Sequence, residues 1–281
     1  MNEDGFADRR GAGTRGIRMG WGWAALLGVV VGVVLGALGG GGAILTVPLL
    51  VYVLGLAPHD ATASSLVIVG SSSLVAMTVH ARVGNVRIQQ GLIFGALGLV
   101  GNLVGVQVSK LISGRVLLGL FAVLILVVAL TMIRLLLRVP ATLTARLEAS
   151  LFVDGRPHWR TVVSLTGVAT VVGLLTGLLG VGGGFMIVPA LTLVLGFDMR
   201  LAVGTSLLII AFNSAAALVT RVIGGATFDW PVVLSFTAAS ITGSLVGARV
   251  SRLVSPRRLS AAFATLLVVV ALYTIVQVWR G

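Results

Sequence analysis

From about residue 21 to its end, this chain is a series of long apolar runs separated by short polar gaps. The runs cover about 21–39, 43–56, 61–80, 91–110, 115–137, 161–180, 184–196, 201–220, 231–248 and 259–279. Most approach the roughly 20 residues that a helix needs to cross a bilayer. The runs at 43–56 and 184–196 are shorter, and each directly follows a cluster of glycines. These two read as half-helices or re-entrant pieces joined to their predecessors. The pattern predicts an all-α integral membrane protein, a polytopic helical bundle with about eight main transmembrane crossings and glycine-broken or re-entrant helices.

The runs come in two sets. Gly36 to Leu66 aligns without a gap to Gly177 to Leu207, at an offset of 141 residues, with 14 identities in 31 positions. Gly101 to Ile133 aligns to Gly243 to Ile275, at an offset of 142, with 18 identities in 33. Each copy is therefore a whole multi-helix unit. Two fused copies of a glycine-interrupted membrane unit are the signature of a secondary transporter. The expected organisation is a disordered tail over 1–19, a first transmembrane repeat over 20–137, an interfacial linker over 138–160 and a second repeat over 161–281. Within the linker, Leu143, Leu147 and Leu151 recur every four residues, as on one face of a short surface helix.

Composition supports the same solvent. The chain is 57% hydrophobic and 10% charged, and its mean hydropathy is +1.11. A soluble protein of this length needs many more polar residues on its surface. The net charge of +12 does not point to nucleic acid, because the cations sit in the gaps between apolar runs without a basic face or interleaved aromatics. The positive-inside rule explains them better. With one crossing per glycine-broken pair, the 20 Lys and Arg residues divide 13 to 7, and the halves run parallel. With two crossings or none, the division is 12 to 8, and the halves are inverted. Charge thus separates the two topologies only slightly, in favour of four crossings per repeat. There is no cysteine, which excludes disulfides, thiolate metal sites and cysteine nucleophiles. Arg9-Arg10 is not followed by a cleavable export segment, since the first apolar run is long enough to be retained.

The candidate chemistry lies in the backbone. Gly39, Gly40, Gly41 and Gly42 precede Pro48, and Gly180, Gly182, Gly183 and Gly184 precede Pro189. Each glycine costs a helix roughly 1 kcal/mol relative to alanine. A break at membrane depth is tolerated only where protein or a wet cavity surrounds it. The helix that restarts there points free N–H groups and its positive dipole end into that space, a site suited to an anion. Alternatively the glycines only let helices pack closely. Downstream, Thr62, Ser64 and Ser65 match Val203, Thr205 and Ser206. Such hydroxyls cap a helix or donate to a bound anion. Asn213 aligns with Ser72 inside an apolar run, and a buried amide there either joins helices or lines a path.

All eight acidic residues fall outside the apolar runs. Cation and proton carriers usually keep a carboxylate in the membrane, so the pattern disfavours cations as cargo. His80 aligns with Arg221 at a segment end, where each could anchor at the interface or attract anions. No HExxH, GxSxG or P-loop lysine is present, so neither an enzyme nor a metal or other cofactor is expected.

The duplicated G-x-x-G-G-G-[GA]-x-x-x-x-P-x-L pattern, at Gly36–Leu50 and Gly177–Leu191, resembles the TauE/SafE sulfite exporter family, also called TSUP permeases. The A-x-G-T-S-L element is complete at Ala202–Leu207 and weaker at Ala61–Leu66, where His59-Asp60-Ala61-Thr62-Ala63-Ser64 departs from it. The resemblance implies a multi-pass permease of the bacterial inner (plasma) membrane that moves small organosulfur anions such as sulfite and sulfoacetate. The substrate-binding residues expected are Gly39 to Gly42, Ser64, Ser65, Gly180, Gly182 to Gly184, Thr205, Ser206 and Asn213. The partners expected are a small anionic substrate and the lipid bilayer, and no nucleic acid; assembly as a homo-oligomer stays open. A permease for another small organic anion and a non-transporting membrane scaffold or assembly factor are the alternatives. Transport requires a wet, polar-lined centre and a scaffold requires a dry one.

Overall fold

A computed structural model describes residues 25–138 apart from 57, 110 and 113, and residues 159–280 apart from 180–183, 224, 226 and 227. The proposed tail and nearly all of the linker lie outside these residues. So do Gly180, Gly182 and Gly183. Every regular element among the described residues is helical. The first set is α1 (Ala25–Leu38), α2 (Gly41–Tyr52), α3 (Pro58–Ala81), α4 (Ile88–Ser109) and α5 (Gly114–Arg138). The second is α6 (Trp159–Leu179), α7 (Gly184–Val194), α8 (Met199–Ile223), α9 (Trp230–Leu253) and α10 (Pro256–Arg280). Described stretches of α3, α4, α8, α9 and α10 are each long and apolar enough to cross a membrane. The outer faces carry large exposed hydrophobic residues, among them Val123 and Val127 on α5 and Val269 and Leu272 on α10. Many of the buried residues are small, so the apolar surface faces lipid.

Glycine contacts set the direction of each helix. In α1, Gly28, Gly32 and Gly36 lie against the carbonyls of Phe236, Ser240 and Ser244 in α9, so these two helices run parallel. In α4, Gly101 and Gly105 meet the carbonyls of Thr170 and Leu174 in α6, again in parallel. Each copy thus lends its first helix to the fourth helix of the other. The missing side chains let the backbones touch, which is how helices associate where water gives no hydrophobic drive.

The direction of α3 and α8 is the informative one. Gly70 faces Ser214, whereas His80 and Asn85 face Gly204, and Arg87 N donates to Thr205 Oγ1 at 3.1 Å. These two helices hold matching places in the sequence copies and run antiparallel. At the first glycine break, Gly39 sits at φ 70°, a left-handed conformation that glycine adopts without a Cβ penalty. The chain then folds back, and Gly42 packs on Val31 and Leu35 of α1. A single through-going crossing at this break, as the charge count favoured, is not what α1 and α2 form; they make a helical hairpin. The ends of α2 and α7 close alike. Leu56 N donates to Leu50 O and Phe197 N to Leu191 O, with Gly55 and Gly196 at φ 71° and 68°.

Candidate functional site

A cavity of about 650 Å³ lies among α2, α3, α4, α6 and α8. Its polar wall takes Thr62 and Ser65 from α3, Asn102 and Gln107 from α4, and Thr176 from α6. α8 adds Asn213, Ser214, Thr220 and Arg221. Ala43 and Val47 of α2 form part of the apolar wall. Among the described lining residues Arg221 is the one full charge, and none is a carboxylate.

Several hydroxyls on this wall are already committed to their own helices. Ser65 Oγ donates to Thr62 O at 2.8 Å, and Thr176 Oγ1 donates to Val172 O at 2.7 Å. These groups offer lone pairs, not protons, unless they rotate. Amide and guanidinium groups are the stronger donors here. Asn213 Oδ1 is buried and has no hydrogen-bond partner among the described residues. Turning that carboxamide over presents its NH₂ to the same space. An arginine with carboxamides nearby suits an oxyanion, since guanidinium N–H groups match two oxygens at once.

Of the expected site residues, Ser65 and Asn213 are on the cavity wall. Gly39 to Gly42 and Gly184 lie behind it. A Cβ on Gly40 would overlap the Gly184 carbonyl, and one on Gly39 would overlap Ser206 Oγ. The two glycine breaks therefore press directly on each other. Ser64 is fully buried, its Oγ without a partner among the described residues, and Ser206 Oγ donates to Val203 O at 2.8 Å. Thr205 accepts from Arg87 N, which ties the turn after α3 to the start of α8. Replacing Thr205 by valine should therefore lower stability by about 1 kcal/mol and leave substrate affinity unchanged. Thermal melting of the purified variant, set against competition binding, checks this.

Asn102, Gln107, Thr176 and Arg221 were not among the expected site residues. Asn102 and Gln107 carry the signal that marked Asn213, a polar amide inside an apolar run. His80, the sequence counterpart of Arg221, is in the last turn of α3 and is packed inside the bundle. It is 1% exposed, and its Nε2 donates to the Gly36 carbonyl at 3.1 Å.

Residues 24–274 match the family described as sulfite exporter TauE/SafE. A probable membrane transporter protein of Xylella fastidiosa (strain Temecula1 / ATCC 700964) is 34% identical over 260 residues, covering 90% of this chain and 94% of the relative. In Bacillus subtilis (strain 168), the probable membrane transporter protein YunE is 28% identical over 238 residues, covering 81% and 87%. A probable membrane transporter protein of the archaeon Methanocaldococcus jannaschii, MJ0441, is 24% identical over 262 residues, covering 88% and 92%. No solved structure matches the chain significantly.

Proposed function

The chain belongs to the sulfite exporter TauE/SafE family of membrane proteins, and from that membership we propose that it is a secondary permease for small sulfur oxyanions, sulfite and organosulfonates such as sulfoacetate. The substrate occupies the cavity beside Arg221, with the carboxamides of Asn102 and Asn213 and the wall around Ser65 as its polar surroundings. One observation carries the reading: the described cavity wall pairs a single arginine with amides and hydroxyls and has no carboxylate. Such a wall attracts an anion and repels nothing of negative charge. A membrane scaffold has no need of this space, so the cavity also favours transport over assembly. The first turn of α2 reaches the wall at Ala43, and its positive dipole end adds to the field. The glycine breaks serve this arrangement by letting α2 and α7 meet behind the site.

The opposed directions of α3 and α8 support two repeats of inverted topology, related by a pseudo-two-fold axis in the membrane plane, with each glycine-broken pair a re-entrant hairpin. A bacterial inner membrane is the setting this family suggests. Purified protein in liposomes tests the reading by flux of labelled sulfite and sulfoacetate, with and without a pH gradient. Saturable uptake of one anion, competed by the other and not by neutral dimethyl sulfone, is the expected result. Equal competition by dimethyl sulfone, or no flux from folded protein, overturns it.

A further inference from the structure

We infer that Ser72, His80, Ser240 and Ser244 line a second access path to the anion site, opening on the opposite face of the membrane and shut in this structure. The inference rests on the transport reading above and on a comparison of matching positions in the two sequence copies. Ser72 matches Asn213, His80 matches Arg221, Gly36 matches Gly177, and Ser244 matches Asn102. The second member of each pair lines the open cavity. The first members are bonded in two pairs, and Ser72 is also bonded to Ser240. Ser72 Oγ donates to Ser240 Oγ at 2.9 Å, Ser244 Oγ donates to the Ser72 carbonyl at 3.3 Å, and His80 Nε2 donates to the Gly36 carbonyl at 3.1 Å. Because α3 and α8 run antiparallel, this cluster and the cavity lie toward opposite ends of the bundle.

The closed cluster is polar where packing alone asks for apolar groups. Ser72, His80, Ser240 and Ser244 are all at or below 1% exposure. His80 Nδ1 and the neighbouring Ser73 Oγ have no partner among the described residues. Burying such atoms unpaired costs free energy that an apolar core avoids. A cluster that must open to an anion has a use for them. Inverted copies supply the means. If each copy adopts the conformation of the other, the cavity around Asn213 and Arg221 shuts and the cluster around Ser72 and His80 opens. His80 takes the place of Arg221 at the second mouth.

The chain has no cysteine, so an introduced thiol reports alone. Thr220→Cys and Ser240→Cys proteins in liposomes are treated with a membrane-impermeant maleimide from either face. Thr220→Cys should react from one face and Ser240→Cys from the other, the latter more slowly by a factor on the order of ten, as for a minor state. Gly91 meets Leu208 and Gly95 meets Phe212, so the next step along α4 and α8 sets Leu99 beside Ala216 on the cavity wall. Oxidising an added Leu99→Cys/Ala216→Cys pair should hold the cavity shut, raise Ser240→Cys labelling on the order of ten-fold and protect Thr220→Cys. Ser240→Cys that stays inert from both faces in the locked protein overturns the path. So does labelling from the same face as Thr220→Cys. Where a variant elutes as aggregate, Ser244→Cys replaces Ser240→Cys as the reporter. Opposite-face labelling without sulfite or sulfoacetate flux keeps the path and removes the anion reading instead.

Discussion

Gly40→Ala should abolish transport and destabilise the fold more than alanine at either Gly39 or Gly41. The added Cβ would overlap the carbonyl of Gly184, and backbone cannot swing aside as a side chain can. Relief requires α2 to move off α7, which opens the packing around Phe185, Ile187 and Val188, all at or below 2% exposure. Phe185 also stands edge-on to Phe121 of α5, with ring centroids 5.5 Å apart, so the disturbance reaches the outer helices. Overpacking of this kind costs about 3 kcal/mol at the upper end of its usual range. Gly41 is the internal control, because its added Cβ would meet only the Leu266 side chain, with Val34 and Leu38 side chains farther off. A new methyl there shifts a flexible neighbour and should cost under about 1 kcal/mol. Gly39 stands between the two, since its φ of 70° strains any other residue but its crowding partner is the rotatable Ser206 hydroxyl. Thermal melting in detergent and flux in liposomes read the series. Equal melting of the Gly40 and Gly41 variants would defeat the account of the breaks as a packing joint.

That joint shows what the sequence could and could not reveal. The apolar runs placed the helices well, because hydrophobic length is a local property and each described helix falls on its run. The glycine runs at matching positions also told where α2 and α7 begin, whereas Pro48 and Pro189 lie inside these helices. Direction was another matter. A glycine kink and a glycine fold-back have the same composition, and Lys and Arg counts of 13 to 7 against 12 to 8 do not choose between them. Only the contacts of Gly42 with α1, and of α3 with α8, distinguish these geometries. The site divided in the same way. Asn213 stood out as an amide in an apolar run, and it borders the cavity. Asn102 and Thr176 join it because α4 of one copy packs on α6 of the other, a tertiary exchange with no local signature. The glycines illustrate the converse. Exposed N–H groups and close packing both call for a missing side chain, so sequence weighs them equally until a neighbour such as Gly184 is in place.

Removing the charge at Arg221 should weaken anion binding more than any other single change at the cavity wall. Arg221 is half-buried near the end of α8 and makes no hydrogen bond among the described residues, so its donors remain available to a ligand. A charge-assisted contact of this kind contributes roughly 2 kcal/mol, or about a 30-fold change in affinity. Arg221→Gln keeps a hydrogen-bonding side chain and loses the charge, so sulfite and sulfoacetate should both weaken about 30-fold in competition assays. Arg221→Lys keeps the charge and loses the two-pronged geometry, so it should fall between wild type and Arg221→Gln. Because the residue lies at an open mouth, raising the salt concentration should erode the wild-type advantage and leave Arg221→Gln nearly unaffected. Arg221→Glu should repel the same anions outright. Folding should survive in each case, since no described hydrogen bond depends on this side chain, and melting temperatures serve as the control. Unchanged anion competition in both Arg221→Gln and Arg221→Glu would move the substrate away from this cavity.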